Sequence, residues 1–389
     1  MSPKGRPEGE YRSAKHEGSP ATPKGRPEGE LAPKRAARRV VECVAAPVES
    51  PRQSTLPALL RKCGVPPRVS VVVPTYRRPR MLARCLAALV AQSLPPHAYE
   101  IIVCDDGCDP QTCEIVTGCS ARLRPLGYRI VYVPVCETQG PAAARNHGWR
   151  IARGTVVAFT DDDTVPHANW LEQGLVALRS GASAVAGRIH VPLPERPSDY
   201  ELDAAGLAHA EFATANCFVH RDVLEAVGGF DERYTTAWRE DSDLQFSILR
   251  LGGSIARAEG ALVLHPVRPA HFGVSVAQQR KSQFDALLYK KHRKLYRTRV
   301  ADSPPWLYYG IVLFAVAAVI AAAAGARGTA LGAAVAWLAL TSAFAWRRLR
   351  VTSRRPAHVV EMLVTSTVIP PLSLFWRTYG AFKFRVPFF

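Results

Sequence analysis

The first 65 residues lack a long apolar run, so we expect no secretory signal peptide there. They are rich in Pro, Gly, Glu, Lys and Arg, and the segment PKGRPEGE occurs at 3–10 and again at 23–30. Such a composition buries too little apolar surface to offset the conformational entropy lost on ordering. We therefore predict that residues 1–65 form a disordered basic extension.

The nine cysteines lack the paired spacing with histidine that zinc sites use. An odd number of cysteines in a chain of 389 residues is typical of free thiols in a reducing compartment, which is what we expect. A zinc site at Cys104, Cys108 and Cys113 is the less favoured alternative.

Basic residues outnumber acidic ones at both ends of the chain. Lys and Arg outnumber Asp and Glu by 13 to 7 in residues 1–65 and by 17 to 3 in residues 277–389, whereas residues 66–276 have 20 against 23. The slightly acidic centre argues against a nucleic-acid partner, despite the formal net charge of +17. The C-terminal basic excess lies beside apolar segments, as it does in membrane proteins, so membrane lipids are expected partners.

Short apolar strands alternate with amphipathic helices after residue 68. We predict strands at 69–73, 100–104, 128–133 and 154–158, and helices at 79–92, 140–152 and 170–178. This alternation indicates an α/β fold with a mostly parallel, Rossmann-like sheet in a domain over residues 66–300. Polar residues cluster at the carboxyl ends of the strands, where open α/β sheets bind ligands.

Three consecutive carboxylates, Asp161, Asp162 and Asp163, follow the predicted strand at 154–158. Like charges are costly to crowd together unless a cation joins them. Their hard oxygens suit Mg²⁺ or Mn²⁺, which bind through carboxylates and substrate phosphate. The alternative is an acidic cap on the helix that begins near Trp170, and the triplet by itself does not decide between the two.

Other motifs occur in order along the chain at predicted strand ends. They are VVVPTY at 71–76, VCDDG at 103–107, Gly140 with ARN at 144–146, FTDDD at 159–163 and RED at 239–241. Together they resemble family 2 glycosyltransferases with the GT-A fold, over roughly residues 68–271. Cys108 stands where the family usually has Ser, and Arg77 where Asn is frequent.

The resemblance implies a nucleotide-sugar donor and a site for its nucleotide. Asp106 would accept a hydrogen bond from the nucleobase, Asp105 would support the loop, and Asp161 or Asp162 would reach the ribose or a bridging water. Arg145 would bind the diphosphate near a helix N-terminus, although it could equally be a surface cation. Pro74, Thr75 and Tyr76 would line the nucleotide pocket. Alternatively, they form only an ordinary turn that ends the strand.

The resemblance also implies a divalent metal cofactor, Mg²⁺ or Mn²⁺. Asp163 would be the main ligand, with Asp161 as the other end of a DxD motif. His265 would be a third ligand or a diphosphate contact, although a lone histidine is more often structural. The metal would neutralise charge on the departing nucleoside diphosphate.

Asp241 is the candidate catalytic base at the start of a predicted helix. It would take the proton of an acceptor hydroxyl that attacks the anomeric carbon, which gives inversion of configuration. Glu240 would orient the acceptor, while Asp243 could merely cap the helix. Trp238 would form a platform for the acceptor, with a buried core tryptophan as the alternative. Residues 278–281 do not form the Gln-x-x-Arg-Trp signature of processive synthases, which favours single-sugar transfer.

Two apolar runs, at 306–326 and 329–346, are each close to the length needed to cross a bilayer. Lys and Arg cluster at 290–299 and 347–355, outside the ends of this hairpin, while the turn contains Arg327 alone. The positive-inside rule then places both outer ends and the catalytic domain in the cytoplasm. A buried soluble hairpin is the alternative. We expect a membrane region over 304–389, with an interfacial or re-entrant segment at 359–376.

The predicted protein is thus a multi-pass cell-membrane enzyme with a cytoplasmic catalytic domain. Its expected activity is inverting transfer of one sugar from a nucleotide-diphosphate sugar to a lipid-linked or envelope-glycan acceptor. The alternatives are a processive polysaccharide synthase and a non-catalytic nucleotide-binding scaffold.

Overall fold

The computed structural model of the protein describes residues 66–137 and 140–388, so the predicted extension at 1–65 lies outside the described residues. One mixed sheet has the strand order β3-β2-β1-β4-β7-β6-β8-β5. Its strands are β1 (Val69–Thr75), β2 (Tyr99–Asp105), β3 (Arg129–Pro134), β4 (Val156–Thr160), β5 (Val165–Pro166), β6 (Ala184–His190), β7 (Asn216–His220) and β8 (Ile255–Leu264).

The first half of the sheet is parallel, as predicted. Strand β1 pairs in parallel with β2 and β4, and β2 pairs in parallel with β3. Strand β7 then runs antiparallel to both of its neighbours, β4 and β6, which makes the whole sheet mixed. Thr75 is in register with Asp105. The carboxyl ends of β1, β2 and β4 therefore lie side by side at one edge.

Helices cover both faces of the sheet because its side chains are apolar on both. Val72 packs with Phe159 in one core cluster, while Val71 packs with Leu86 and Trp170 in another, as alternation along a strand requires. The helices of this part are α1 (Pro79–Val90), α2 (Pro110–Leu123), α3 (Pro141–Ile151), α4 (Trp170–Leu178), α5 (Asp199–Ala205), α6 (Arg221–Val227), α7 (Glu240–Arg250), α8 (Val274–Gln278), α9 (Gln283–Lys291) and α10 (Arg293–Arg299).

Three longer helices follow: α11 (Trp306–Ala323), α12 (Arg327–Leu349) and α13 (Pro356–Phe384). Each is long and apolar enough to cross a membrane. The first two form the predicted hairpin, with the turn a few residues earlier than expected. Helix α13 is longer than the predicted 359–376 segment and continues through Pro370 and Pro371.

Helix α13 is joined to the globular part at both of its ends. Near its start, Glu361 accepts a hydrogen bond of 2.7 Å from the backbone N–H of Gly273. At its end, Lys290 Nζ donates to the Phe384 carbonyl at 2.8 Å. The backbones also meet closely at Gly380, where an added Cβ would overlap the Gln283 carbonyl oxygen. One side of α13 therefore packs against the globular part.

A disulfide joins Cys108 to Cys136, so the expectation of free thiols is wrong at these two positions. The two cysteines are 28 residues apart in sequence, and their spacing gave no sign of the bond. They meet because β2 and β3 are parallel neighbours, which places the loops after these strands together. The bond also removes Cys108 from the alternative zinc site.

Candidate active site

Most of the predicted donor-side residues line one cavity, of about 390 Å³, at the carboxyl ends of β1, β2 and β4. We call it the first cavity. The parallel pairing of these strands is what brings separate motifs to one place. The predicted residues in its wall are Pro74, Thr75, Tyr76, Asp106, Arg145, Asp161, Asp162 and Asp163.

Asp105 and Asp106 have different positions after β2. Asp105 is fully buried and accepts hydrogen bonds from the backbone N–H groups of Gly107, at 2.9 Å, and Asp109, at 2.8 Å. It therefore fixes the loop, as expected. Asp106 faces the first cavity and accepts a hydrogen bond of 2.9 Å from the Gly140 N–H. Burial raises the pKa of Asp106.

Asp162 points back toward the end of β1. Its carboxylate accepts hydrogen bonds from the Thr75 hydroxyl at 2.7 Å and from Arg78 Nη1 at 2.8 Å. Burial raises the pKa of Asp162 to about 6, and the charges of Asp163 and Asp161 add to that effect. Both oxygens of the Asp162 carboxylate are thus hydrogen-bonded to residues at the end of β1 and just after it.

Asp161, Asp163 and His265 form a cluster that we call the metal triad. Each offers one ligand atom, and these atoms all lie within 4.8 Å of one another. Strand β5 pairs with β8 with Val165 opposite Leu264, which brings the next residue, His265, beside the triplet. Within the described residues, Asp163 Oδ2 is buried and has no hydrogen-bond partner. Two hard oxygens and an imidazole fit a divalent cation such as Mg²⁺ or Mn²⁺.

The triplet is not a helix cap. Helix α4 begins at Trp170 with Asn169 at its N-cap, and strand β5 lies between it and Asp163. The capping alternative raised by the sequence is therefore wrong.

Arg145 joins the metal triad to α7. Its side chain is 2 % exposed, and it donates hydrogen bonds to Asp161 Oδ1 at 2.8 Å and to Glu240 Oε1 at 3.1 Å. Burial would raise the pKa of Asp161, but the Arg145 charge outweighs it and holds that pKa below its usual value. Arg145 is therefore no surface cation, and both of its terminal nitrogens are bonded to carboxylates.

A second cavity, of about 750 Å³, lies on the other side of Arg145 and Asp161, which line both. Its wall contains Glu240, Asp241, Trp238 and His265. The predicted donor-side and acceptor-side residues therefore face two cavities that meet at shared residues.

The two acids at the start of α7 differ in their surroundings. Asp241 is half-buried and accepts a hydrogen bond of 2.6 Å from the Ser242 N–H. Burial raises the pKa of Asp241. Glu240 is 3 % exposed, and its Oε2 has no hydrogen-bond partner in the part of the chain that the structure describes. Burial raises the pKa of Glu240 to about 7, with the Asp241 charge adding and the Arg145 charge opposing.

Trp238 is partly enclosed by other side chains. Its indole Nε1 donates to Asp285 at 3.3 Å, and the Arg239 guanidinium lies 4.6 Å from the ring centre. Asp243 is buried, 2.6 Å from Lys291 Nζ and 3.0 Å from His292 Nε2, so it does more than cap the helix.

Two arginines at the site were missed by sequence reasoning. Arg78 contacts Asp162, and Arg268 Nε lies 2.9 Å from Asp163 Oδ2, at ion-pair distance but without hydrogen-bond geometry. Both line the first cavity. Arg78 stands two residues after the PTY turn and Arg268 three after His265, so proximity to a motif was the available signal.

Comparison with known proteins places this site in a family. Residues 70–227 match the model of glycosyl transferase family 2. Glycosyltransferase AglE of Haloferax volcanii is 30% identical over 225 residues, which cover 55% of this chain and 71% of the relative. The chain belongs to glycosyltransferase family 2. As a member of that family, it is an enzyme that uses a nucleotide-sugar donor.

Other similar proteins agree with this assignment. A validoxylamine A glucosyltransferase of Streptomyces hygroscopicus is 26% identical over 251 residues, and the chain spans about half of its length, 53%. The structure of the mannosyltransferase PcManGT from Pyrobaculum calidifontis, solved with GDP-Man and Mn²⁺, matches with a TM-score of 0.55 at 20% identity. The match covers 90% of this chain and 95% of PcManGT, and it confirms the expected GT-A fold.

Proposed function

We propose that the protein is an inverting glycosyltransferase that moves one sugar from a nucleoside-diphosphate sugar to a lipid-linked or envelope-glycan acceptor. Transfer would occur at the cytoplasmic face of the cell membrane, with residues 66–300 as the catalytic domain and 304–389 as the membrane region. One observation carries the proposal: the metal triad and Asp241 face two cavities that meet at Arg145 and Asp161.

The donor occupies the first cavity. Its nucleoside lies against Pro74, Thr75 and Tyr76, and the base donates a hydrogen bond to Asp106. Its diphosphate lies beside the metal triad, which holds Mg²⁺ or Mn²⁺. When bound, the metal offsets the negative charge that develops on the leaving nucleoside diphosphate. PcManGT, whose structure contains GDP-Man and Mn²⁺, gives a precedent for such a donor and metal on this fold.

The acceptor occupies the second cavity. Asp241 removes the proton from the acceptor hydroxyl as its oxygen forms a bond to the anomeric carbon, and the bond from that carbon to the diphosphate breaks. A raised pKa makes the Asp241 carboxylate a stronger base for this step. Glu240, whose Oε2 is unpaired among the described residues, orients the acceptor, and the accessible part of Trp238 supports it.

The distribution of charge and the exposure of apolar side chains support the proposed membrane arrangement. Helices α11 and α12 span the bilayer, with the basic clusters at 290–299 and 347–355 on the cytoplasmic side. Helix α13 is long enough to span, but we place it in the interface because it is docked on the globular part at both ends while Val360, Phe375 and Phe382 on its other side are more than half exposed. The second cavity includes Val300, just before α11 begins, which supports an acceptor held by a lipid.

Two other functions are less well supported. A processive synthase would release long chains, and the Gln-x-x-Arg-Trp signature is absent at 278–281. A non-catalytic scaffold has no need for Asp241 beside a metal triad.

A screen of nucleotide-sugars with Mn²⁺ or Mg²⁺ tests the proposal. We expect the thermal unfolding temperature to rise with the true donor, because a ligand stabilises the fold according to its concentration and affinity. The stabilising donor is then incubated with membrane lipid extract, and the product length is measured. Stabilisation by no nucleotide-sugar contradicts the proposal, and a polymeric product favours the synthase.

A further inference from the structure

Arg268 contacts the carboxylate that the metal triad needs. Its Nε lies 2.9 Å from Asp163 Oδ2, and no other guanidinium in the described residues approaches that oxygen as closely. Asp163 is 5 % exposed, whereas the Arg268 side chain is 42 % exposed. A buried anion is therefore paired with a cation that extends from the surface.

This pair competes with a divalent cation. A guanidinium at Oδ2 and a metal ion at Oδ1, the oxygen that lies 3.5 Å from His265 Nε2, repel each other across one carboxylate. The other two carboxylates of the triplet have partners in the wall of the site, since Arg145 bonds to Asp161 and Arg78 to Asp162. Metal binding to Asp163 therefore favours movement of Arg268 away from this carboxylate.

The Arg268 side chain has room to move away from Asp163. It stands on the loop after β8 and lines both the first and the second cavity. Its exposed side chain can change rotamer without disturbing the core. A diphosphate in the first cavity brings negative charge within its reach, and the planar guanidinium suits two phosphate oxygens at once.

We propose that Arg268 alternates between Asp163 and the donor diphosphate. Paired with Asp163 it weakens the binding of metal alone, and paired with the diphosphate it strengthens the binding of the metal–nucleotide complex. The two ligands then bind cooperatively, since each one favours the position of Arg268 that admits the other. This inference rests on the proposed function and adds to it a donor-binding residue with two opposite effects.

Calorimetric titrations of the full-length protein and Arg268→Ala test the inference, with Mn²⁺ alone and then with GDP or UDP at saturating Mn²⁺. We expect Mn²⁺ alone to bind the variant more tightly, by up to about fivefold, because it loses a partly exposed competing ion pair. We expect the nucleoside diphosphate to bind about tenfold more weakly, because a charged hydrogen-bond donor is gone. Arg268→Lys should lie between the wild type and Arg268→Ala on both measurements.

The affinity for Mn²⁺ is expected to rise while the affinity for the nucleotide falls. These opposite changes distinguish the proposed role from a general loss of charge or of folding. Arg179→Ala is the matched control, since Arg179 is an exposed arginine at the end of α4, away from both cavities. We expect it to change neither affinity. Unchanged or weaker Mn²⁺ binding in Arg268→Ala overturns the inference, as does unchanged nucleotide binding. A wild-type protein that binds Mn²⁺ but that no nucleotide-sugar of the screen stabilises overturns the proposed function as well.

Discussion

Arg145 donates a hydrogen bond of 3.1 Å to Glu240. This bond joins α3 to α7, the helix that carries the candidate base Asp241. The same guanidinium also bonds to Asp161 at 2.8 Å. One buried side chain therefore sets the distance between the metal triad and the start of α7.

Asp163→Asn should abolish metal-dependent donor binding. The substitution keeps the shape of the side chain but removes the charge that attracts a divalent cation. We expect sugar transfer to fall by at least about 100-fold and the stabilisation by nucleotide-sugar with Mn²⁺ to disappear from thermal unfolding curves. Asp222→Asn, on an exposed part of α6, is the control and should behave as the wild type. Donor stabilisation that survives in Asp163→Asn would rule out Asp163 as the main ligand.

Asp241→Asn should separate catalysis from donor binding. The amide cannot take the acceptor proton, so we expect transfer to fall by about 100- to 10,000-fold. Asp241 lines the second cavity and not the first, so the affinity for donor and metal should stay the same. Transfer is measured with radiolabelled donor, and affinity by calorimetry. Full activity in this variant would remove Asp241 as the base.

Glu240 should make stability depend on pH. Burial raises its pKa from 4.5 to about 7, so the folded state holds the proton more tightly than the unfolded state. The stability from this group is complete below the unfolded-state pKa and is lost as the pH rises through the folded-state value. We expect the free energy of unfolding of the wild type, relative to Glu240→Gln, to fall by on the order of 2 kcal/mol from about pH 5 to pH 8. Urea denaturation at each pH measures this difference, and a constant or rising difference contradicts the prediction.

Reduction of the Cys108–Cys136 disulfide should loosen the nucleotide pocket. The bond ties the loop of Asp106 to the loop that precedes Gly140, and Gly140 donates a hydrogen bond to Asp106. With a dithiol reductant we expect stability to fall by about 3 kcal/mol and nucleotide affinity to fall with it. Urea denaturation and calorimetry measure the two effects.

Two variants control for other effects of the reductant. Cys108→Ser should be insensitive to the reductant, and Cys113→Ser should respond as the wild type does. Alkylation of both Cys108 and Cys136 before any reductant is added would show that the bond is absent. A disulfide in a cytoplasmic domain is usually transient. A stable bond would therefore argue against a cytoplasmic location of this domain.

The positions of Asp106, Asp161 and Asp163 could be predicted because each follows a strand of a parallel set. Parallel pairing brings the carboxyl ends of neighbouring strands together, so residues 55 or more apart in sequence must meet. Runs of apolar residues were enough to predict the strands. Their alternation with helices was enough to predict that these strands pair in parallel. The helix boundaries near the site were also predicted closely, because prolines mark the first turns of α1 and α3.

The contacts of Arg145 with Glu240 and of Arg268 with Asp163 could not be predicted. Arg145 and Glu240 are 95 residues apart and lie on helices whose packing depends on the whole core. Arg268 lies in a loop, where no periodic pattern limits the direction of a side chain. The disulfide was missed for a similar reason, since cysteine spacing does not reveal which loops are neighbours.

The attachment of α13 at both ends has a consequence for the choice of acceptor. A helix that is free at one end would let the catalytic domain tilt toward and away from the lipid. With α13 held at Glu361 and at Phe384, the proposed arrangement gives the domain a single height above the bilayer. If the acceptor is lipid-linked, as proposed, its hydroxyl would stand at one fixed distance from the lipid anchor, and the enzyme would select its substrate by length as well as by chemistry.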